Sequence, residues 1–125
     1  MSTYIGFTEG KGRGVFTDKR IYKGETIESA PVIEFPKEEW KYIGETVLGV
    51  YCFFWGEGNK DGAIVLGNGS LYNHSYKPNA KYIRKVSEKI MDFVAIKDIE
   101  AGEEITVNYN GESNDNDPVW FDVIE

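Results

Sequence analysis

The apolar stretches of this chain are short, and glycines, prolines and polar turn residues punctuate them throughout. Short runs rich in β-branched and aromatic residues, set between turn formers, make strands and leave little room for helix. Strands are expected at Thr3 to Phe7, Gly14 to Thr17, Val50 to Phe54, Ala63 to Leu66 and Ile105 to Tyr109. Thr26 to Phe35 also reads as extended, broken by Pro31 and closed by Pro36. Ala80 to Val86 and Ile90 to Ile96 read as a pair joined by the polar turn Ser87-Glu88-Lys89. The best helical candidate is Lys37 to Ile43, directly after Pro36. The expectation is one mainly β domain over residues 1–125, large enough to bury roughly two-thirds of its unfolded surface.

One pattern recurs. Ile21-Tyr22-Lys23-Gly24-Glu25-Thr26-Ile27 and Ile99-Glu100-Ala101-Gly102-Glu103-Glu104-Ile105 share Ile, Gly, Glu and Ile at one spacing. Both read as a turn whose glycine takes φ > 0 and feeds a strand. Seven residues are too few for a repeat architecture, so this is reused turn chemistry.

Composition narrows the function. One cysteine (Cys52) and one histidine (His74) exclude a structural zinc site and suit a reducing compartment. The first residues lack a basic-then-apolar secretory signal, and no apolar run approaches the ~20 residues that span a bilayer. A cytoplasmic protein is expected. The net charge of −7 argues against direct nucleic-acid binding, which draws on clustered Lys and Arg, and favours a basic protein partner.

The sole histidine lies in Leu71-Tyr72-Asn73-His74-Ser75-Tyr76-Lys77-Pro78-Asn79, boxed by asparagines in a run that Pro78 keeps from being helical. That suggests a fixed loop at a site. Gly12-Arg13-Gly14-Val15-Phe16 and Gly102-Glu103-Glu104-Ile105-Thr106-Val107-Asn108-Tyr109 flank it in sequence. Together these three segments resemble the SET domain family of protein-lysine methyltransferases, which use S-adenosylmethionine. The match runs from about Gly10 to Tyr109 and looks like the compact viral and prokaryotic members, without cysteine-rich flanks. Asn108 stands where the family commonly has Asp, and Tyr76 where many eukaryotic members carry Cys.

The resemblance implies a β-clip-like fold of several small sheets with a threaded C-terminal segment, and a tail over 110–125 that closes the site. It implies S-adenosylmethionine as cofactor, S-adenosylhomocysteine as product and no metal. The substrate would be a lysine in a basic protein. A homodimer would complete a peptide groove that no flanking domain supplies. The location would be cytoplasmic, or nuclear or host-cell for a viral protein. The rival reading is a SET-like module that has lost catalysis and binds a basic peptide.

Methyl transfer to an amine is an in-line displacement, so positioning and desolvation carry it. Gly12, Arg13 and Gly14 would let backbone groups approach the cofactor closely. By resemblance Asn73 and His74 would hold it, and Trp120 or Phe121 would cover its adenine. The lysine must be neutral, which an aromatic channel favours by desolvation. Tyr51, Phe53 and Trp55 alternate along the expected strand and so share a face; the resemblance places Tyr51 at the channel, with Phe53 and Trp55 read as core. Val107 is placed beside the channel, where it would bear on the number of methyl groups added. Tyr109 is the expected catalytic residue, orienting the amine rather than acting as a base, since a phenol near pKa 10 is a poor base at neutral pH. Glu103 and Glu104 point to opposite strand faces and so cannot form an acid–base pair. The acidic run Glu112 to Asp117 reads as a solvated loop.

Overall fold

The computed structural model describes residues 2–125. Its strands are β1 (Thr3–Thr8), β2 (Gly12–Thr17), β3 (Thr26–Phe35), β4 (Phe53–Trp55), β5 (Asp61–Val65), β6 (Asn73–His74), β7 (Ala80–Lys85), β8 (Ile90–Ala95) and β9 (Glu104–Val107). They form a four-stranded sheet ordered β1-β2-β9-β6 and a five-stranded sheet ordered β4-β5-β3-β8-β7. The expected mainly β architecture of small sheets is what is found. Helix is confined to short pieces, with a 3-10 turn at Lys37–Glu39 running into α1 (Trp40–Ile43) after Pro36.

Pro31 does not break β3, because the strand changes partners there. Residues up to Pro31 pair with β8, and Val32 to Phe35 pair with β5. A residue without an N–H is tolerated where the ladder switches sides. The five-stranded sheet curls until its edges meet. Phe53 on edge strand β4 packs edge-on against Tyr82 on the opposite edge strand β7, ring centroids 5.1 Å apart. Arg84 Nε donates to the Phe54 carbonyl across the same seam at 2.7 Å.

The two echoed turns lie side by side. Ile21 and Ile99 exchange backbone hydrogen bonds of 2.8 Å in both directions. Gly24 and Gly102 take φ of +93° and +89°, as the pattern required. Each turn is closed by its glutamate: Glu25 accepts from the Tyr22 N–H at 3.0 Å, and Glu103 from the Glu100 N–H at 3.1 Å. This gives Glu103 a turn-capping role and leaves Glu104 to the strand.

The core joins both sheets through Val15, Ile105 and Val107 on one side and Trp55, Met91 and Phe93 on the other. Phe93 stacks on Tyr72 at 4.3 Å, tying the core to the segment that carries His74. Its burial stabilises the fold by about 1.5–3 kcal/mol, and Phe93→Ala would cost about 3–5 kcal/mol.

Candidate active site

Strand β9 is central in its sheet, and the segment from Asn73 to Asn79 grips its length. Asn79 donates to the Glu104 carbonyl at 2.8 Å and accepts from the Thr106 N–H at 2.9 Å, so one side chain clamps the strand through both halves of its amide. The Ser75 N–H donates to Val107 O at 2.9 Å. His74 Nδ1 accepts from the Tyr109 N–H at 2.9 Å. Asn73, His74 and Tyr109, far apart in sequence, are thereby fixed together.

Two cavities share a wall made of Val50, Tyr51, Tyr109 and Trp120. The first, about 230 Å³, is bounded by Gly10, Lys11, Asn73 and His74, and by Phe121, Asp122 and Ile124 of the tail. The second, about 100 Å³, is aromatic, with Phe53, Tyr72 and Tyr82 on its walls.

In the first cavity Asn73 Nδ2 donates to the Arg13 carbonyl at 3.0 Å and to Glu104 Oε2 at 2.6 Å. The other oxygen of Glu104 accepts from Lys11 Nζ at 3.3 Å. Gly14 is required here, because a Cβ would run into the Glu104 carboxylate and the Asn73 amide. His74 is 3 % exposed. With Nδ1 accepting, the neutral ring carries its proton on Nε2, and that atom has no partner among the described residues. Burial pushes the His74 pKa below its ordinary value.

In the second cavity the Tyr109 hydroxyl donates to the Tyr72 carbonyl at 2.8 Å. Burial first, then the neighbouring Tyr51, Glu104 and Tyr82, push its pKa up to about 12. The Tyr72 hydroxyl donates to Glu28 Oε1 at 2.7 Å, and burial raises its pKa strongly. Trp120 is 64 % exposed, yet its ring stacks on Tyr109 at 5.6 Å and 14°.

The tail is held over the first cavity by side-chain amides. Asn108 Nδ2 donates to the Asp115 carbonyl at 2.6 Å, and Asn110 Nδ2 to the Asp117 carbonyl at 2.8 Å. The Val119 N–H donates to the Tyr76 hydroxyl at 3.2 Å. The Tyr76 ring meets His74 edge-on at 4.5 Å. Glu125 accepts from Ser75 Oγ at 2.5 Å and from the Tyr76 N–H at 3.2 Å. Both departures from the family pattern, Asn108 and Tyr76, thus serve to hold the tail. The acidic run, read as solvated, is pinned through its backbone carbonyls.

Several expectations need correction. Tyr51 does reach the shared wall, but not by strand alternation: Val47–Val50 is a 3-10 turn, and the strand starts only at Phe53. Thr46 Oγ1 accepts from the Leu48 N–H at 3.2 Å and starts that turn. Trp55 belongs to the core, whereas Phe53 is half-buried, packs against the core and lines the aromatic cavity. Val107 is 0 % exposed and packs with Ile105 in the core rather than along the cavity walls. Arg13 comes to the site through its carbonyl, and the residue itself is exposed on β2. Gly12 takes φ +79° at the start of β2, in the turn that leads to Gly14. Trp120 stands at the junction of the cavities, whereas Phe121 faces His74 at 6.1 Å. Lys11, Gly10, Tyr72 and Arg84 were not anticipated. The spacing Gly10-Lys11-Gly12-Arg13-Gly14 extends the glycine alternation back to Gly10 and was the available signal for the first two.

Among the described residues no three of His, Cys, Asp or Glu converge as a metal site, and no helix is long and apolar enough to cross a membrane. Comparison with known proteins gives a consistent picture. The family model for the SET domain matches residues 12–110. A histone-lysine N-methyltransferase, H3 lysine-37 specific, from Schizosaccharomyces pombe is 34 % identical over 116 residues, covering 92 % of this chain and 74 % of that protein. A histone-lysine N-methyltransferase, H3 lysine-36 specific, from Emericella nidulans is 33 % identical over 123 residues, which is 89 % of this chain but 12 % of that much longer protein. Among solved structures, a Plasmodium falciparum protein assigned as a histone methyltransferase superposes with a TM-score of 0.67 at 34 % identity, covering 86 % of this chain and 92 % of that one. A chain of ctPRC2, solved in an autoinhibited conformation bound to S-adenosylmethionine, superposes with a TM-score of 0.69 over 86 % of this chain and 15 % of its own length, and at 23 % identity shares the fold. Agreement of motif order, architecture and sequence over nearly the whole length leads to one conclusion: this chain belongs to the SET domain family.

Proposed function

We propose that this chain transfers a methyl group from S-adenosylmethionine to the ε-amine of a lysine in a protein. The observation that carries this reading is the shared wall: a polar cavity and an aromatic cavity meet at Tyr109. Donor and acceptor can then reach that residue from separate entrances, as an in-line displacement requires.

The polar cavity fits the cofactor. It offers an unpartnered His74 Nε2–H, the Lys11 ammonium for a carboxylate, the Asn73 amide, and a close backbone approach at Gly14. Phe121 and Trp120 supply ring faces for an adenine. S-adenosylmethionine would supply an electrophilic methyl group on a sulfonium. Tyr109, held by its bond to the Tyr72 carbonyl, keeps oxygen lone pairs to accept from the amine and so orients it. With its pKa near 12 it does not serve as a base. Tyr51 completes the channel, and the tail over 110–125 closes the cofactor side.

The substrate we propose is a lysine in a basic protein segment, such as the histone H3 that the S. pombe and E. nidulans relatives are named for, drawn by the net charge of −7. The chain would work where that substrate resides, in cytoplasm or nucleus, and a second copy would complete the peptide groove. Calorimetric titration with S-adenosylmethionine, run beside Asn73→Ala, tests the cofactor assignment. One-site binding that weakens in the variant supports it. A folded wild-type sample that does not bind removes it.

A further inference from the structure

The aromatic cavity carries one formal charge, and it is positive. Its titratable groups are Tyr51, Cys52, Tyr72, Tyr82, Tyr109 and Arg84. Phenols and thiols are ordinarily neutral at pH 7, and burial pushes Cys52, Tyr72, Tyr82 and Tyr109 further from ionisation. Among the described residues no carboxylate lines the cavity. The carboxylates that these phenols feel stand outside the wall: Glu28 against Tyr72, Glu104 towards Tyr109 and Glu112 towards Tyr82.

Arg84 is held in place but not neutralised. Its Nε donates to the Phe54 carbonyl at 2.7 Å, and its guanidinium carbon lies 5.4 Å from the centre of the Tyr82 ring. Lys11, Arg20, Lys85 and Lys89 all pair with carboxylates, whereas Arg84 forms no ion pair among the described residues. A guanidinium stays charged at any pH the protein survives. A site built to hold an ammonium ion by charge would place a carboxylate where Arg84 stands.

We propose that Arg84 is a charge gate: it repels a protonated lysine side chain and admits the neutral amine from which methyl transfer proceeds. The inference rests on the methyltransferase reading above. Arg84 is a tuning residue here, acting on the substrate amine through the field across a small cavity. At an effective dielectric of about 20, a unit charge roughly 10 Å away shifts an amine by roughly one pH unit. The entering ammonium gives its proton to water. The neutral nitrogen then uses its lone pair to form the C–N bond while the C–S bonding pair leaves with sulfur. The alkylated ammonium that results loses a proton to water, and the same repulsion helps to release it.

The test is the pH profile of kcat on histone H3 at saturating S-adenosylmethionine, from neutral pH to above the ordinary lysine value of about 10.4. Arg84→Gln is expected to move the acid limb of kcat upward by about one pH unit and to slow turnover roughly tenfold at neutral pH. Its KM for histone H3 should fall, because ammonium is no longer repelled, and its rate should recover above the limb. Arg84→Lys should keep the wild-type limb, and cofactor affinity should stay unchanged in both variants. An unmoved limb, or a uniform loss at every pH, overturns the gate and makes Arg84 a structural pin across the sheet seam. Absence of turnover by the wild type counts against the methyltransferase reading itself, and the gate falls with it.

Discussion

Asn108→Asp restores the residue common in the family, yet here it should loosen the tail. The Asn108 side chain is buried at 3 % exposure and uses both halves of its amide. Nδ2 donates to the Asp115 carbonyl at 2.6 Å, and Oδ1 accepts from the Asn110 N–H at 2.9 Å. An aspartate keeps the second bond and loses the first, and it turns a carboxylate oxygen towards a carbonyl oxygen. Losing the donor costs about 1 kcal/mol, and leaving the facing carbonyl unpaired adds about 1–3 kcal/mol. The Asn110 bond becomes charge-assisted and offsets about 1 kcal/mol. The net loss of about 1–3 kcal/mol makes opening of the tail roughly five- to a hundredfold more frequent. Amide hydrogen exchange reads this directly, since protection reports local opening. Protection should fall about tenfold or more at Val119, whose N–H is bonded to the Tyr76 hydroxyl only when the tail is docked, and stay unchanged along β7 and β8. Unchanged protection at Val119 would refute the claim that Asn108 holds the tail.

Three further outcomes follow from the same geometry. Gly14→Ala places a methyl group against Glu104 and Asn73, costing about 1–3 kcal/mol and weakening S-adenosylmethionine binding in calorimetry; unaltered affinity would show that the Asn73–Glu104 bond does not support the cofactor. Tyr72→Phe removes the donor to Glu28, which also accepts from the Asn68 N–H at 3.0 Å, and should lower stability in urea by about 1.5–3 kcal/mol; a loss well under that range would mean water replaces the bond. His74 is neutral when folded because protonating Nδ1 would break its bond from Tyr109, and its folded pKa lies below the ordinary 6.5. The unfolded chain therefore binds a proton more readily, so stability should fall as pH drops below about 6.5, until the folded value is passed. His74→Asn should flatten that slope, and a slope of equal size in the variant would assign it to other groups.

The fold was legible where local chemistry decides it. The echoed turns needed only their glycine and glutamate to be read correctly, and the hairpin of β7 and β8 needed only its polar turn, where Lys89 takes φ +57°. Long-range partnerships escaped the reading. Tyr51 is assigned to a strand because Val50 to Phe54 is apolar and β-prone, but the Thr46 hydroxyl offers the preceding backbone a nearer partner and coils Val47–Val50, so the strand begins only at Phe53. Val107 is expected at the channel from the resemblance alone, and in the fold its side chain packs into the core. The tail looked solvated because its acidic side chains are what a sequence displays, whereas Asn108 and Asn110 hold its carbonyls. Arg84 became notable only once the curled sheet brought it to the Phe54 carbonyl.

The central claim is that donor and acceptor meet at Tyr109, and Tyr109→Phe tests it most directly. The substitution keeps the ring that stacks on Trp120 and the backbone N–H bonded to His74, and removes only the hydroxyl. Turnover on histone H3 should fall about a hundredfold while S-adenosylmethionine affinity is preserved, since a mispositioned amine costs rate and not cofactor binding. Turnover that survives unchanged would contradict the account, whatever the cofactor affinity proves to be.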